Sequence, residues 1–145
     1  MKSWDGKIAK AMNNKEKTLS VGARGEAEAI KYFKKHGYCI IEQNYRHSHY
    51  EIDFIAEDDE CLVFVEVKSR SCTDPDNMPY GRPSSAVTYS KKQRLISAAR
   101  AYMHERKFYG KRVRLDVVEI FFDTAPDVKS KKVIKINHIR NAFGA

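Results

Sequence analysis

The chain has 145 residues, 42% of them apolar, which suits one compact domain around one core. Its net charge of +8 points to a polyanionic partner, nucleic acid being the commonest, with a merely soluble basic surface as the alternative. Three cysteines (Cys39, Cys61 and Cys72) without a Cys-x-x-Cys pair exclude a disulfide framework and a zinc ribbon, and no apolar run reaches membrane-spanning length.

Residues 1–19 are polar and lysine-rich, without an apolar secretion-signal core; they read as a basic N-terminal arm. A reducing, cytoplasmic setting is expected, with Cys39 and Cys61 as small core side chains. Residues 20–145 read as a single domain. Ser20 is a helix N-cap, the helix runs to His36, and Gly37 stops it. A strand over 38–46 follows, then a turn at His47–Ser48–His49, a strand over 51–57, a turn at Asp58–Asp59–Glu60 and a strand over 62–69. Residues 70–87 hold three of the four prolines and form a long loop. Thr88 or Ser90 caps a second helix reaching Lys107. A strand over 113–122, a polar connection and a last strand over 133–139 close the chain. The order is α-β-β-β-α-β-β.

Two places break the hydrophobic pattern. On the first helix, Ala23, Ala29, Ile30 and Phe33 form an apolar stripe, and Glu26 falls inside it. A carboxylate there needs a partner; the alternative is a slightly rotated helix with Glu26 at its rim, near the positive N-terminal end. The third strand reads Leu62-Val63-Phe64-Val65-Glu66-Val67-Lys68. Valines fill one face, so the strand is central, yet Glu66 and Lys68 interrupt the other face. On the second strand Ile52, Phe54 and Ala56 share one face, and Glu51, Asp53 and Ile55 the other. A four-residue connection, Asp58 to Cys61, sets Asp53 opposite Glu66 on one face; an odd connection separates them. Facing carboxylates repel, and a cation between them relieves the repulsion.

Oxygen ligands of this kind suit Mg²⁺ or Mn²⁺ rather than zinc. Asp53 and Glu66 are the candidate metal ligands. Such an ion can polarise a phosphate oxygen and activate a water. Lys68 can position the water or stabilise charge on the phosphoryl oxygens, and Glu26 can orient a water or act as a ligand. Lys91, near the start of the second helix, is a candidate phosphate contact, as are Arg46 and Arg70 at strand ends. Tyr80 and Tyr89 could stack on bases. Arg114 and Asp116 alternate on one face and can pair with each other. None of the five histidines has metal-ligand spacing.

A helix glutamate, then an aspartate, then Glu-x-Lys on a hairpin resembles the PD-(D/E)XK nuclease superfamily. More closely, the chain is similar to the YraN family of small bacterial proteins. The matching stretches are Gly25-Glu26-Ala27, Gly37-Tyr38, Asn44-Tyr45-Arg46, Glu51-Ile52-Asp53, residues 64–70, Ala86-Val87-Thr88, Lys91 and residues 114–118. The resemblance implies a restriction-endonuclease-like core, shared with archaeal Holliday junction resolvases. It implies Asp53 and Glu66 as metal ligands, Lys68 as the catalytic lysine and Glu26 as the helix carboxylate. The chain departs from the pattern at Tyr50, where the family usually has Gly, and at Ile52, where the superfamily name has Pro.

The expected function is a metal-dependent endonuclease acting on DNA, branched or damaged DNA being candidate substrates. The alternatives are a nucleic-acid-binding module without turnover and a protein-interaction domain. No membrane partner is expected. The sequence does not fix an oligomeric state, although a homodimer would supply two copies of one site for two strands.

Overall fold

The computed structural model describes residues 20–76, 89–108 and 110–142. Helix α1 spans Val21–Lys35. Ser20 caps it as expected: its hydroxyl accepts the Ala23 N–H at 3.1 Å, satisfying a donor that a helix start leaves open. Gly37, at φ +86°, follows the helix in a left-handed conformation that a Cβ would strain. Then come β1 (Cys39–His47), β2 (Tyr50–Glu57), β3 (Cys61–Ser71), α2 (Tyr89–Arg106), β4 (Arg112–Phe122), a 3-10 turn (Val128–Ser130) and β5 (Val133–Ile139). This is the expected α-β-β-β-α-β-β order. Strand β3 runs past the point where the sequence suggested a loop, because Arg70 and Ser71 still pair with Phe121 and Phe122. Residues 77–88 of that loop, and the arm 1–19, lie outside the described residues.

The five strands form one sheet in the order β1-β2-β3-β4-β5. Only β3 and β4 are parallel, and α2 is the crossover that a parallel pair requires. The alternation along β3 creates two layers. Cys61, Val63 and Val65 pack with Ala29 and Phe33 of α1. Leu62 and Phe64 pack with Leu95, Ala98 and Tyr102 of α2. The mixed sheet is thus buried on both faces, with a helix on each.

The packing of α1 decides where Glu26 lies. The buried line is Gly25, Ala29 and Phe33, whereas Ala23 is exposed. The helix is therefore rotated from the stripe read in the sequence. Gly25 lets it approach β3 closely: a Cβ there would collide with Ser69 Oγ. Glu26, one residue on, is left half-buried at the rim of the interface. A second correction concerns Cys39. It begins the edge strand β1 and is exposed, while Cys61 is buried as expected. Among the described residues, no helix is long and apolar enough to cross a membrane.

Candidate active site

The β2–β3 hairpin pairs Glu57 with Leu62 and continues to Phe54 with Val65, so the connection is the four-residue one, Asp58 to Cys61. The next step of this register places Asp53 beside Glu66. Regular pairing stops there, and the Val67 N–H donates instead to Asp53 Oδ2 at 2.7 Å. The ladder is interrupted on the other flank too. Strand β1 pairs Gln43 with Phe54 and Tyr45 with Ile52, skipping Asn44 and Asp53, and Asn44 has φ +54°. The side-chain alternation slips at this point. Phe54 and Ala56 pack in the α1 cluster, but Ile52 packs in the α2 cluster. The expectation that Ile52, Phe54 and Ala56 share one face fails because the left-handed Asn44 stands opposite Asp53. Asp53 thus occupies a gap in the sheet, where its side chain takes a backbone donor from β3.

Charge accumulates around this gap. Burial, then the neighbouring Glu66, pushes the pKa of Asp53 up to about 7, against the Val67 N–H and Lys68, which pull it down. Glu26 is also raised, first by burial and then by Glu51 and Glu66. Lys68 Nζ lies 3.1 Å from Glu66 Oε1, and the Tyr50 hydroxyl donates to Glu66 Oε2 at 3.2 Å. Asn44 is placed between two acceptors, so its amide nitrogen faces them; it donates to Glu26 Oε1 at 3.0 Å and to Glu51 Oε1 at 2.9 Å. Arg46 Nε donates to Glu51 Oε2 at 3.2 Å from the solvent side.

The structure brings Glu26, Asp53, Glu66 and Lys68 into one electrostatic neighbourhood. Arg46 joins its edge as the partner of Glu51. Arg70 is half-buried on β3 and Lys91 is exposed on the first turn of α2. Tyr89 is exposed at the start of α2, and Tyr80 lies outside the described residues. Two members, and one buried acid on the neighbouring strand β4, were missed in the sequence. Glu51 shares the face assigned to Asp53, a signal that was available. Asn44 is a residue type that tolerates left-handed backbone, although nothing local marks which asparagine will adopt it. Glu119 is fully buried, pairs in register with Lys68 and accepts from Asn137 Nδ2 at 2.6 Å. Its burial depends on β5, which sequence periodicity does not place beside it.

Asp116 lies outside this cluster. Arg114 pairs with it as expected, through Nε at 3.2 Å and a terminal nitrogen at 2.8 Å. His138 Nε2 at 2.6 Å and the Asn141 N–H at 2.9 Å complete its shell.

The donor set suits a magnesium-class ion. It offers carboxylate oxygens only, and one cationic side chain, Lys68, is paired within it. Asp53 Oδ1 accepts no hydrogen bond among the described residues, and the neighbouring Glu66 adds to the cost of ionising Asp53. Among the described residues no three His, Cys, Asp or Glu side chains are gathered as a complete ligand set. One or two carboxylates, with water and phosphate oxygens filling the remaining positions, is the usual protein share of Mg²⁺ coordination. The residues present fit that share.

A family described as "Uncharacterised protein family UPF0102" matches residues 25–120. A UPF0102 protein of Clostridium perfringens is 40% identical over 129 residues, covering 89% of this chain and 98% of that one. Another, from Rhodococcus opacus, is 38% identical and covers 86% and 97%. One from Clostridioides difficile is 37% identical over 91% of this chain and 100% of its own. Among solved structures, that of Pyrococcus furiosus SfsA in complex with Ca²⁺ aligns at 13% identity and a TM-score of 0.36, covering 78% of this chain and 63% of that one. From the span of the family match and the identity to these relatives, the chain belongs to the UPF0102 family, the restriction-endonuclease-like YraN group.

Proposed function

We propose that the protein is a metal-dependent nuclease that hydrolyses phosphodiester bonds in DNA, with branched or damaged DNA as its candidate substrates. The observation that carries the reading is Asp53: a carboxylate set in a gap of the sheet, beside Glu66, and pushed up to about 7. Perturbed carboxylates of this kind concentrate at functional sites. Asp53 and Glu66 would hold Mg²⁺ or Mn²⁺. The ion would supply Lewis-acid stabilisation of the phosphate and activation of the attacking water. Lys68, paired with Glu66, would stabilise charge on the phosphoryl oxygens as the bond breaks. Tyr50 and Lys68 fix the two oxygens of Glu66, and Asn44 ties Glu26 to the same neighbourhood.

One observation favours the second reading, a nucleic-acid-binding module without turnover: both Glu66 oxygens already have protein partners. The two readings separate in a panel of linear, flapped, nicked and four-way DNAs incubated with Mg²⁺ or Mn²⁺, with Lys68→Ala purified in parallel. The nuclease reading expects cleavage that chelator abolishes and that Lys68→Ala reduces on the order of 10²-fold or more. Equal cleavage by both proteins would mean a contaminant. Binding without cleavage under either ion would establish the second reading.

A further inference from the structure

The carboxylate cluster lies between two clefts of opposite chemistry. The cleft between α1 and β1, about 380 Å³, is lined by Ala23, Glu26, Ala27, Ile30, Gln43 and Asn44. Among the described residues its one charged side chain is acidic, which disfavours phosphate there. The cleft between the β1–β2 turn and α2, about 530 Å³, is lined by His47, Ser48, His49, Tyr50, Arg94 and Ser97. Among the described residues no carboxylate lines this second cleft. Every residue in it offers a hydrogen-bond donor that phosphate and sugar oxygens accept.

Two further features give the second cleft a direction. Arg94 is exposed and forms no ion pair among the described residues, which leaves its planar guanidinium available for phosphate. Arg46, Arg106 and Arg114, by contrast, are each committed to a carboxylate. Tyr50 belongs to both places: it forms part of the cleft wall, and its hydroxyl donates to Glu66. The cleft therefore opens beside the carboxylates, on the face of the sheet that carries α2.

We infer that the cleft between the β1–β2 turn and α2 is a phosphodiester-binding groove, with Arg94 as its charged contact, that delivers a nucleic-acid backbone to Glu66 and Asp53. What lies at the end of the groove rests on the nuclease reading; the binding itself does not. The backbone lies on the basic side of the cluster, and the acidic α1–β1 cleft is left to water and cations.

The test compares two charge reversals on one helix. Arg94→Glu and Arg100→Glu alter net charge equally, but Arg100, also exposed on α2, does not line the cleft. Affinity is measured by fluorescence anisotropy with a short labelled single strand and its duplex, in chelator so that nothing is cut. Arg94→Glu should weaken binding about tenfold or more and Arg100→Glu about twofold or less, because only the first removes a direct phosphate contact. Thermal melts check the fold, and Arg94→Lys should keep most of the affinity. Equal losses in the two reversals, no loss in Arg94→Glu, or no binding by the wild type would each overturn the groove. Wild-type binding that depends on Arg94, with no cleavage under Mg²⁺ or Mn²⁺, would retire the nuclease reading and leave the groove standing.

Discussion

Asp53 and Asp116 lie on strands of the same sheet and solve opposite problems. Asp116 is fully buried, and every group around its oxygens is a donor: Arg114, His138 and the Asn141 N–H. Burial alone would raise its pKa, yet the hydrogen bonds from His138, Arg114 and Asn141 hold it below the ordinary carboxylate value. Asp53 is less buried but has one donor, the Val67 N–H, and two acidic neighbours, Glu66 and Glu26. Its pKa moves up instead. A carboxylate that serves the fold is matched to its surroundings. One left unmatched inside a sheet is a liability to the apo fold, and a divalent cation or a proton removes that liability. Charge matching, rather than depth of burial, separates the structural acid from the candidate catalytic one.

The largest expected effect tests the structural half of this contrast. Asp116→Ala leaves Arg114 and His138 without their shared acceptor inside the protein. Breaking a buried pair from one side costs about 3–5 kcal/mol, read as a lower denaturation midpoint with an unchanged slope on denaturant. A loss below about 1 kcal/mol, the range of exposed pairs, would show that the network is solvated and would remove the contrast.

The reverse behaviour is expected at Asp53. Its folded pKa is raised, so in the metal-free protein the folded state holds a proton that the unfolded chain has released. The contribution is neutral below about 4, where both states are protonated, and it becomes unfavourable as pH rises towards about 7, above which the penalty is complete. Asp116 has the opposite sign: its contribution is present above about 4 and is lost at lower pH as its carboxylate protonates. Asp53→Asn should therefore match wild type near pH 4 and exceed it by a few tenths to about 1 kcal/mol at pH 8 in chelator. Adding Mg²⁺ or Mn²⁺ at pH 8 should raise the melting temperature of wild type, since a ligand held by the native state alone stabilises it. The variant should lose most of that gain. An Asp53→Asn protein that is less stable at every pH, with no metal shift in either protein, would make Asp53 a structural residue like Asp116.

Much of this was legible in the residues. The valines of β3, the four-residue turn and the Ser20 and Gly37 helix signals gave the element order and the hairpin register that leads towards Asp53 and Glu66. These are local features whose periods survive folding. The slip at Asn44 and Asp53 was not legible, because alternation assumes an unbroken pleat, and one left-handed residue on β1 was enough to send Ile52 to the other layer. The same limit hid Glu119, whose partner Asn137 comes from β5. Helix α1 was misphased because Gly25 counts as neither apolar nor polar in a stripe, yet it sits so close to Ser69 of β3 that a Cβ would collide. Asp116 read as a simple partner of Arg114; the histidine that completes its shell lies 22 residues further along the chain.

The smallest expected effect lies at Arg46, where the same pairing chemistry as at Asp116 is placed in water. Arg46 Nε is 3.2 Å from Glu51 Oε2, with its side chain 78% exposed. Solvent screening reduces such a pair to about 0–1 kcal/mol, and Asn44 still holds the other oxygen of Glu51 after the pair is broken. Arg46→Ala should therefore change stability by less than about 0.5 kcal/mol, roughly a tenth of the Asp116 effect. Its effect on nucleic-acid binding is a separate question that the stability measurement leaves free. If Arg46 leaves Glu51 to contact a phosphate, its removal flattens the salt dependence of DNA affinity by about one unit, through one fewer counterion released. If Arg46 serves only to neutralise Glu51, the slope stays as it is, and the exposed carboxylate lowers affinity mainly at low salt, where screening is weak. Titrations of wild type and Arg46→Ala at several salt concentrations distinguish a change of slope from a change of offset. An unchanged slope would confine Arg46 to the role the structure already shows, that of a surface partner at the edge of an acidic cluster.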